Sequence, residues 1–305
     1  MNVVTLLPSA TEIVCGLGLE STLVGVSHSC NFPHSVRKLP TMTSTRVPYT
    51  EPSAVIDEFV REHLADNAAL YDLDIDALIA VAPDVIVSQA LCDVCAVSTG
   101  DVIAALTDLP SQPALVDLNP NNLNDVFADC ERVGDALGQP LRATRYTQSL
   151  IDRKNAIADR SRGISENNRP GVVFLEWLDP PFNGGHWNPE LVEIAGGRDL
   201  LGASGEPSST LEWSGIAASE ADVLFIACCG LSTERALQDV EKACQRPEWQ
   251  SLPAVRNGRV YVTDGDAYFA RPGPRLIDGL EMMAHALHPD IHPAAIHGKC
   301  HQFSA

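Results

Sequence analysis

The fold of this chain is decided by the stretch Pro83-Asp84-Val85-Ile86-Val87-Ser88-Gln89-Ala90-Leu91-Cys92-Asp93-Val94-Cys95. A continuous β-branched run at 85–87, flanked by polar and turn-forming residues, is typical of a strand covered on both faces in a parallel sheet. A short helical pattern precedes the run, and a Cys-x-x-Cys pair follows it. The stretch therefore predicts a helix–strand unit of an α/β fold, with cysteines at the carboxyl end of the strand.

The same pattern recurs at 220–230, where an apolar strand pattern ends in Cys228 and Cys229. A strand–turn–helix pattern at 3–18 likewise has a counterpart at 172–197. Two halves with one order of elements predict two similar α/β lobes. Because ligands of open α/β sheets bind beyond the carboxyl ends of the strands, we expect the cysteines to face a cleft between the lobes.

The length of 305 residues also suggests two domains. The segment 122–161 has a long helical period, interrupted at 138–140, and predicts a helical connection between the lobes. The expected boundaries are an N-terminal α/β lobe at 1–120, a bridging helix at 121–165, a C-terminal α/β lobe at 166–290 and a tail at 291–305. We expect a frayed tail; the alternative is a metal site at His297, Cys300 and His301.

Composition excludes several kinds of partner. The formal net charge is −19, which argues against nucleic acid or an anionic membrane as the main partner because both are polyanions. No apolar run approaches the ~18 residues of a membrane helix, so no membrane insertion is expected. The first strand pattern begins directly after Met1, so we expect a cytoplasmic protein without a signal peptide, whose nine cysteines are reduced thiols.

Several residues are candidates for ligand contacts. Ser9 either caps the first helix or belongs to a helix N-terminus that presents backbone N–H groups to a polar ligand. The loop after the strand at 172–177 is rich in Pro and Gly, and loops on a rigid scaffold concentrate binding groups. Glu176 and Trp177 precede this loop and Trp187 ends it, and the later loop at 264–275 adds Tyr268 and Arg271. We expect Trp177, Trp187 and Tyr268 to stack on a planar ligand; the alternative is that the tryptophans only pack the loop.

Cysteines at strand ends suggest a second kind of site. Three or four thiolates among Cys30, Cys92, Cys95 and Cys228 would suit zinc, copper or iron, or a metal carried in a macrocycle. The alternative is that these are buried thiols without a function. If Glu176 or His186 lies near such a site, we expect it either to hydrogen-bond the metal-binding side chains or to supply a harder oxygen or nitrogen ligand.

The sequence contains no Ser-His-Asp order, nucleophile elbow, Walker loop or G-x-G-x-x-G after the first strand. We therefore expect a protein that is not an enzyme.

Four features carry a family resemblance: Ser9-Ala10-Thr11-Glu12, the Pro-Asp or Ala-Asp step before a strand in each half, the Trp249-to-Tyr261 segment, and Arg271-Pro272-Gly273-Pro274-Arg275. They resemble the helical-backbone class of ABC-transporter substrate-binding proteins, which bind cobalamin, haem and iron siderophores, and in particular its vitamin B12-binding (BtuF-like) branch. The resemblance covers roughly residues 1–290. It implies an α/β fold of two Rossmann-like lobes with mostly parallel sheets, bridged by one long α-helix, as in class III periplasmic binding proteins. The family's usual cobalamin site does not include the four cysteines.

These observations lead to one main hypothesis. We expect a non-catalytic protein that holds a corrinoid such as cobalamin, a tetrapyrrole or another metal chelate in the inter-lobe cleft, with an ABC permease as a partner implied only by the resemblance. The alternative is a cytoplasmic metal carrier or sensor with a thiolate site for zinc, copper or iron. A redox or metal-dependent enzyme is the third possibility.

Overall fold

The computed structural model describes residues 1–66, 68–89 and 109–304, and places the strand at 85–89 inside a parallel sheet. The chain divides into two units. Unit 1 consists of Met1–Pro48, Glu58–Pro120 and Asn124–Ser149. Unit 2 consists of Tyr49–Asp57, Asn121–Leu123 and Leu150–Ala305. Cys92 and Cys95 lie outside the described residues.

Unit 1 is built on a four-stranded parallel sheet in the order β2-β1-β5-β6. A small antiparallel pair, β3-β4, accompanies it. The apolar run at 85–87 is buried throughout, as a strand covered on both faces requires. The strands of unit 1 are β1 Val3–Thr5, β2 Leu23–Val26, β3 Thr43–Thr45, β4 Tyr71–Leu73, β5 Val85–Gln89 and β6 Ala114–Leu118.

The helices of the first half of the chain begin with a short helix directly after β1. They are α1 Pro8–Gly16, α2 Ser53–Ala65, α3 Ile75–Val81, α4 Leu123–Ala136 and α5 Pro140–Ser161. The segment expected to form one bridging helix thus forms two, α4 and α5. Gly138, at φ +68°, leaves helical geometry, and Pro140 begins the next helix, where its missing N–H costs nothing.

Unit 2 contains a six-stranded sheet with the path β12-β11-β10-β7-β8, and β9 also pairs with β7. Its central strands β7, β10 and β11 run parallel, whereas β8 and β12 are antiparallel to their neighbours. The strands are β7 Gly171–Leu178, β8 Pro181–Asn183, β9 Arg198–Asp199, β10 Val223–Ile226, β11 Val260–Val262 and β12 His301–Phe303.

The helices of unit 2 cover this sheet. They are α6 Asn188–Ile194, α7 Trp213–Ala218, α8 Thr233–Ala243, α9 Pro247–Ser251, α10 Pro253–Arg256, α11 Gly265–Tyr268 and α12 Leu276–Leu287. One core cluster joins strand residues of β7 and β10 to Trp213 and Trp249, whose ring centroids are 6.0 Å apart. None of the described helices is long and apolar enough to span a bilayer.

The tail differs from expectation. Residues 301–303 form β12 and pair with β11, and the Phe303 ring lies edge-on to Trp249 with centroids 6.4 Å apart. The expectation of a frayed tail is therefore wrong, because backbone pairing and one buried aromatic contact fix the segment. The sequence around Phe303 has no apolar periodicity that would have predicted this strand.

Candidate functional site

The carboxyl ends of the unit 1 strands carry a row of polar residues. In the sheet register Thr5 lies opposite both Val26 and Val87, and Ser88 lies opposite Asp117. The chain positions that follow each strand therefore meet at one edge of the sheet. We call Ser9, His28, Ser88 and Asp117, which lie at or just past these strand ends, the unit 1 edge. Ligands of parallel α/β sheets bind at this kind of edge.

Two hydroxyls of the unit 1 edge are buried without a partner. Ser9 is 1% exposed and Ser88 is fully buried, and neither Oγ makes a hydrogen bond within the described residues. Ser9 lies inside the first turn of α1 and does not cap it, because Pro8 takes the first helical position and Leu7 is the N-cap. The expectation of a Ser9 N-cap is therefore wrong. Buried polar atoms are nearly always paired, so both hydroxyls are candidates for contact with a ligand.

His28 is a third candidate of this edge. Its backbone N–H donates to Thr43 Oγ1 at 3.0 Å, and its Nδ1 lies 2.7 Å from the same oxygen. Burial lowers the pKa of His28, so the ring is neutral. Its Nε2 has no hydrogen-bond partner within residues 1–66, 68–89 and 109–304. A neutral imidazole held through Nδ1 leaves Nε2 to a ligand.

Sequence reasoning did not select His28, Ser88 or Asp117 as site residues. The sequence pattern that could have identified such residues is a polar residue directly after an apolar strand run, as in Val87-Ser88 and Val116-Asp117.

Cys30 belongs to a hydrogen-bonded chain of side chains in unit 1. Its Sγ lies 3.0 Å from Thr11 Oγ1, which lies 2.6 Å from Thr5 Oγ1. Cys30 is 5% exposed. The expected pairing of Cys30 with Cys92 and Cys95 in a thiolate site stays a prediction, since both residues of that pair lie outside the described ranges.

A charged group lies beside the unit 1 edge. Arg132 donates to Asp129 Oδ1 and, at 3.2 Å, to the carbonyl oxygen of Asp117. Asp129 is 1% exposed, and its burial raises its pKa to about 7 although Arg132 opposes the rise. Burial also raises the pKa of Asp117. Near neutral pH, ionised Asp129 thus carries a cost of desolvation.

We expect Asp129→Asn to stabilise the protein at pH 8 but to change little at pH 4. An unfolded aspartate ionises near pH 3.9, while folded Asp129 holds its proton to about pH 7. The folded state therefore binds more protons across this window, and the wild-type free energy of unfolding falls as pH rises through it. At roughly 1.4 kcal/mol per pKa unit, the gain at pH 8 reaches at most about 4 kcal/mol.

Urea unfolding at both pH values measures this effect. Asp135→Asn, an exposed change on the same helix, is the matched control and should leave the free energy of unfolding within about 0.5 kcal/mol at both values. Equal loss of stability in Asp129→Asn at pH 4 and pH 8 would contradict the assigned protonation of Asp129.

In unit 2, Glu176 is the best supported of the predicted site residues. It lies near the carboxyl end of β7, and its Oε2 accepts from the backbone N–H of Gly185 at 3.1 Å and from Asn188 Nδ2 at 3.4 Å. Burial raises the pKa of Glu176, against the opposing effect of these hydrogen bonds. The carboxylate is thus oriented by the loop between β8 and α6 and keeps part of its surface exposed.

Cys228 lies next to Glu176 at the carboxyl end of β10 but faces the core. Its side chain is fully buried in the hydrophobic cluster, and burial raises the pKa of its thiol. Because Cys228 packs within the apolar core, no described contact supports its expected role, which stays a prediction. Among the described residues, no group of three or more His, Cys, Asp or Glu is arranged to hold a metal ion.

The two candidate tryptophans of unit 2, Trp187 and Trp177, differ in how far their rings are buried. Trp187 is 4% exposed and donates its indole N–H to the carbonyl oxygen of Phe269 at 2.8 Å. The expectation that Trp187 stacks on a ligand is therefore wrong, because no ring face is available. Trp177 is only partly buried, with its Nε1 3.2 Å from the carbonyl oxygen of Asp179, and stays a candidate.

Tyr268 is the last residue of α11, and Arg271 lies on the loop that follows it. The guanidinium of Arg275 lies over the Tyr268 ring, 4.5 Å from its centroid. Arg271 is 6% exposed and forms a bidentate ion pair with Asp266, with its Nη2 2.6 Å from Oδ2. Arg271 therefore stabilises its own loop, whereas partly exposed Tyr268 can still meet a ligand.

Comparison with known proteins agrees with the fold and the resemblance. The periplasmic binding protein family model matches residues 3–267. An uncharacterized ABC transporter substrate-binding lipoprotein of Bacillus subtilis is 23% identical over 290 residues, covering 95% of this chain and 80% of that protein. A vitamin B12-binding protein of Vibrio cholerae is also 23% identical, covering 92% of this chain and 87% of its own length.

Solved structures show the same fold. A periplasmic haem-binding protein of Pseudomonas aeruginosa matches with a TM-score of 0.75 and 20% identity, over 100% of this chain and 99% of that chain. The periplasmic vitamin B12-binding protein BtuF of Vibrio cholerae matches with a TM-score of 0.68 and 18% identity, over 94% and 96%. These matches confirm the predicted α/β fold of two lobes with parallel sheets and the expectation of a binding protein that is not an enzyme.

Proposed function

Because the chain belongs to the periplasmic binding protein family, we propose that it binds a metal-chelating macrocycle of the corrinoid or tetrapyrrole class without transforming it chemically. The similar proteins named above support this ligand class, since one is a vitamin B12-binding protein and another a haem-binding protein. We also propose, by analogy with the Bacillus subtilis lipoprotein, that the natural partner is an ABC permease.

The observation that carries the proposal is the pair of buried, unpartnered hydroxyls of Ser9 and Ser88. An unsatisfied buried polar group lowers the free energy of unfolding by about 1–3 kcal/mol. Two such groups at one sheet edge therefore destabilise the protein without a ligand. A ligand that supplies hydrogen-bond partners recovers this cost on binding. A corrinoid presents amide groups around its ring and a haem presents carboxylates, and both can pair with a hydroxyl.

Unit 2 carries candidate contacts of its own. Trp177 offers a partly exposed indole for stacking, and Glu176 offers a carboxylate held in place by Gly185 and Asn188. A planar macrocycle gains from an aromatic face because offset stacking adds to the buried area. Tyr268 is a weaker candidate, since Arg275 already covers its ring.

Ser9→Ala and Ser88→Ala test the proposal because each should weaken ligand binding without lowering the free energy of unfolding. Removing an unpartnered buried hydroxyl should leave the free energy of unfolding unchanged or raise it by about 1 kcal/mol. Losing a hydrogen bond to the ligand should weaken binding of cobalamin or haem by roughly 5- to 10-fold for each serine.

Ser21→Ala, an exposed serine of unit 1, is the control and should change neither quantity. Visible absorption titration gives the affinity and urea unfolding gives the stability. Unchanged affinity in the Ser9→Ala/Ser88→Ala double variant would remove the unit 1 edge from the site.

A further inference from the structure

Unit 2 contains a cavity that is lined by residues of α5, α12 and the tail. Its volume is about 200 Å³, and its walls include Ile157, Ala284, His292 and the Pro-Ala-Ala-Ile segment at 293–296. Arg153 and Arg160, spaced seven residues apart on α5, lie at its rim. We call this cavity the tail pocket. Its lining is mostly apolar, with a few polar groups, as in many small-molecule sites.

The tail pocket lies away from the carboxyl ends of the unit 2 strands. The chain enters α12 after the carboxyl end of β11, and α12 then runs back along the sheet. Near its far end, the carbonyl oxygen of Leu287 accepts from Arg259, which directly precedes β11, at 2.9 Å. Ala284, three residues before Leu287, therefore lies toward the amino end of β11, whereas Glu176 lies near the carboxyl end of β7.

Of the two arginines at the rim of the tail pocket, Arg153 is ion-paired and Arg160 is available to pair with an anionic ligand. Arg153 is held by two carboxylates, with its Nη2 2.6 Å from Asp278 Oδ1 and its Nε 2.9 Å from Glu281 Oε1. Arg160 is exposed and makes no ion pair within the described part of the chain. In a chain of net charge −19, a free guanidinium beside an apolar cavity is a local exception to the acidic surface.

His292 adds a polar group to the wall. It is 2% exposed, its Nε2 lies 3.1 Å from Ser161 Oγ, and its carbonyl oxygen accepts from His285 Nδ1 at 2.9 Å. Its Nδ1 has no hydrogen-bond partner in the described ranges. Burial lowers the pKa of His292 to about 4, so the ring is neutral near pH 7. When the Ser161 hydroxyl donates to Nε2, Nδ1–H is left as a donor.

We propose that the tail pocket binds a small amphipathic carboxylate, such as a short-chain fatty acid, with its carboxylate at Arg160 and His292 and its carbon chain along 293–296. A guanidinium and an N–H donor suit a carboxylate. The size is appropriate, since an engineered cavity of roughly 150 Å³ in another protein accepts benzene. This site is separate from the proposed macrocycle site and does not depend on it.

Hexanoate is the probe, and hexan-1-ol is the uncharged comparison. Binding is followed in the full chain by ¹H–¹³C spectra of the isoleucine methyl groups, where Ile157 and Ile296 should shift on addition of hexanoate. Arg160→Gln should weaken hexanoate binding at least 10-fold and leave hexan-1-ol binding unchanged. Ala156→Phe should abolish binding of both, because position 156 is an exposed part of the lining whose enlargement fills the cavity without disturbing the core.

Arg162→Gln is the matched control. Arg162 lies just beyond α5, is 77% exposed and pairs with Asp159 outside the lining, so hexanoate binding should be unchanged. Thermal unfolding checks that each variant is folded. The proposal is overturned if hexanoate shifts neither methyl group, if hexan-1-ol binds as tightly as hexanoate, or if neither Arg160→Gln nor Ala156→Phe weakens binding.

Discussion

Trp249→Ala is expected to lower the free energy of unfolding of unit 2 by about 3–5 kcal/mol. The Trp249 side chain is fully buried, and its ring contacts Trp213 and Phe303. Truncation removes a large apolar area and leaves a cavity that the surrounding strands fill only in part. The indole N–H has no hydrogen-bond partner in the described residues, so its removal also removes a small cost of burying an unpaired polar group. We therefore expect the loss in the free energy of unfolding to lie near the lower end of this range.

Urea unfolding followed by tryptophan fluorescence measures this loss. All four tryptophans lie in unit 2, so the three that remain report on this unit alone. Leu141→Ala, at an apolar position that is 73% exposed, is the control and should change the free energy by less than about 0.5 kcal/mol. A loss below about 1 kcal/mol for Trp249→Ala would show that this cluster is not the stabilising core of unit 2.

Asp239→Ala should have an effect of similar size for an electrostatic reason. Asp239 is 4% exposed and accepts from Ser53 Oγ, from Arg235 Nη1 at 2.8 Å and from Lys242 Nζ at 3.4 Å. Removing one member of a buried pair leaves an uncompensated charge, here on Arg235, and typically costs about 3–5 kcal/mol. Arg235 also donates to the carbonyl oxygen of Glu51, so the loss should extend to the segment Tyr49–Asp57.

Hydrogen exchange and urea unfolding test this second prediction together. Backbone amides of the Tyr49–Asp57 segment should exchange faster in Asp239→Ala. Lys242→Ala removes the 62% exposed partner of the same carboxylate and should cost at most about 1 kcal/mol. If the two variants lost the same stability, the buried Asp239–Arg235 pair would not be the dominant interaction.

The strands could be predicted from the sequence because buried parallel strands carry a continuous apolar run. The family could be predicted from the motifs that resemble it. The runs at 85–87 and 223–226 are buried at every position. Helix α12 has an uninterrupted apolar period of the same readable kind. The break between α4 and α5 was visible as Gly138 and Pro140, but the period on both sides favoured a single helix.

The individual site residues were harder to predict because the sequence does not show which way a side chain faces. Trp187 and Trp177 occupy similar loop-adjacent positions, yet only Trp187 is buried, through its hydrogen bond to the carbonyl oxygen of Phe269. Cys228 follows a strand as a site residue would, but it faces the core. Ser88 was overlooked because one serine after an apolar run has no motif around it.

Visible absorption titration with cyanocobalamin and with haemin, on wild type and on Cys30→Ser, tests whether the protein is a macrocycle binder. We expect one macrocycle to bind with 1:1 saturation, to be recovered chemically unchanged, and to bind the Cys30→Ser variant with the same affinity. Absence of binding by both macrocycles, with a stoichiometric zinc, copper or iron content that disappears in Cys30→Ser, would contradict this expectation and favour a thiolate metal site.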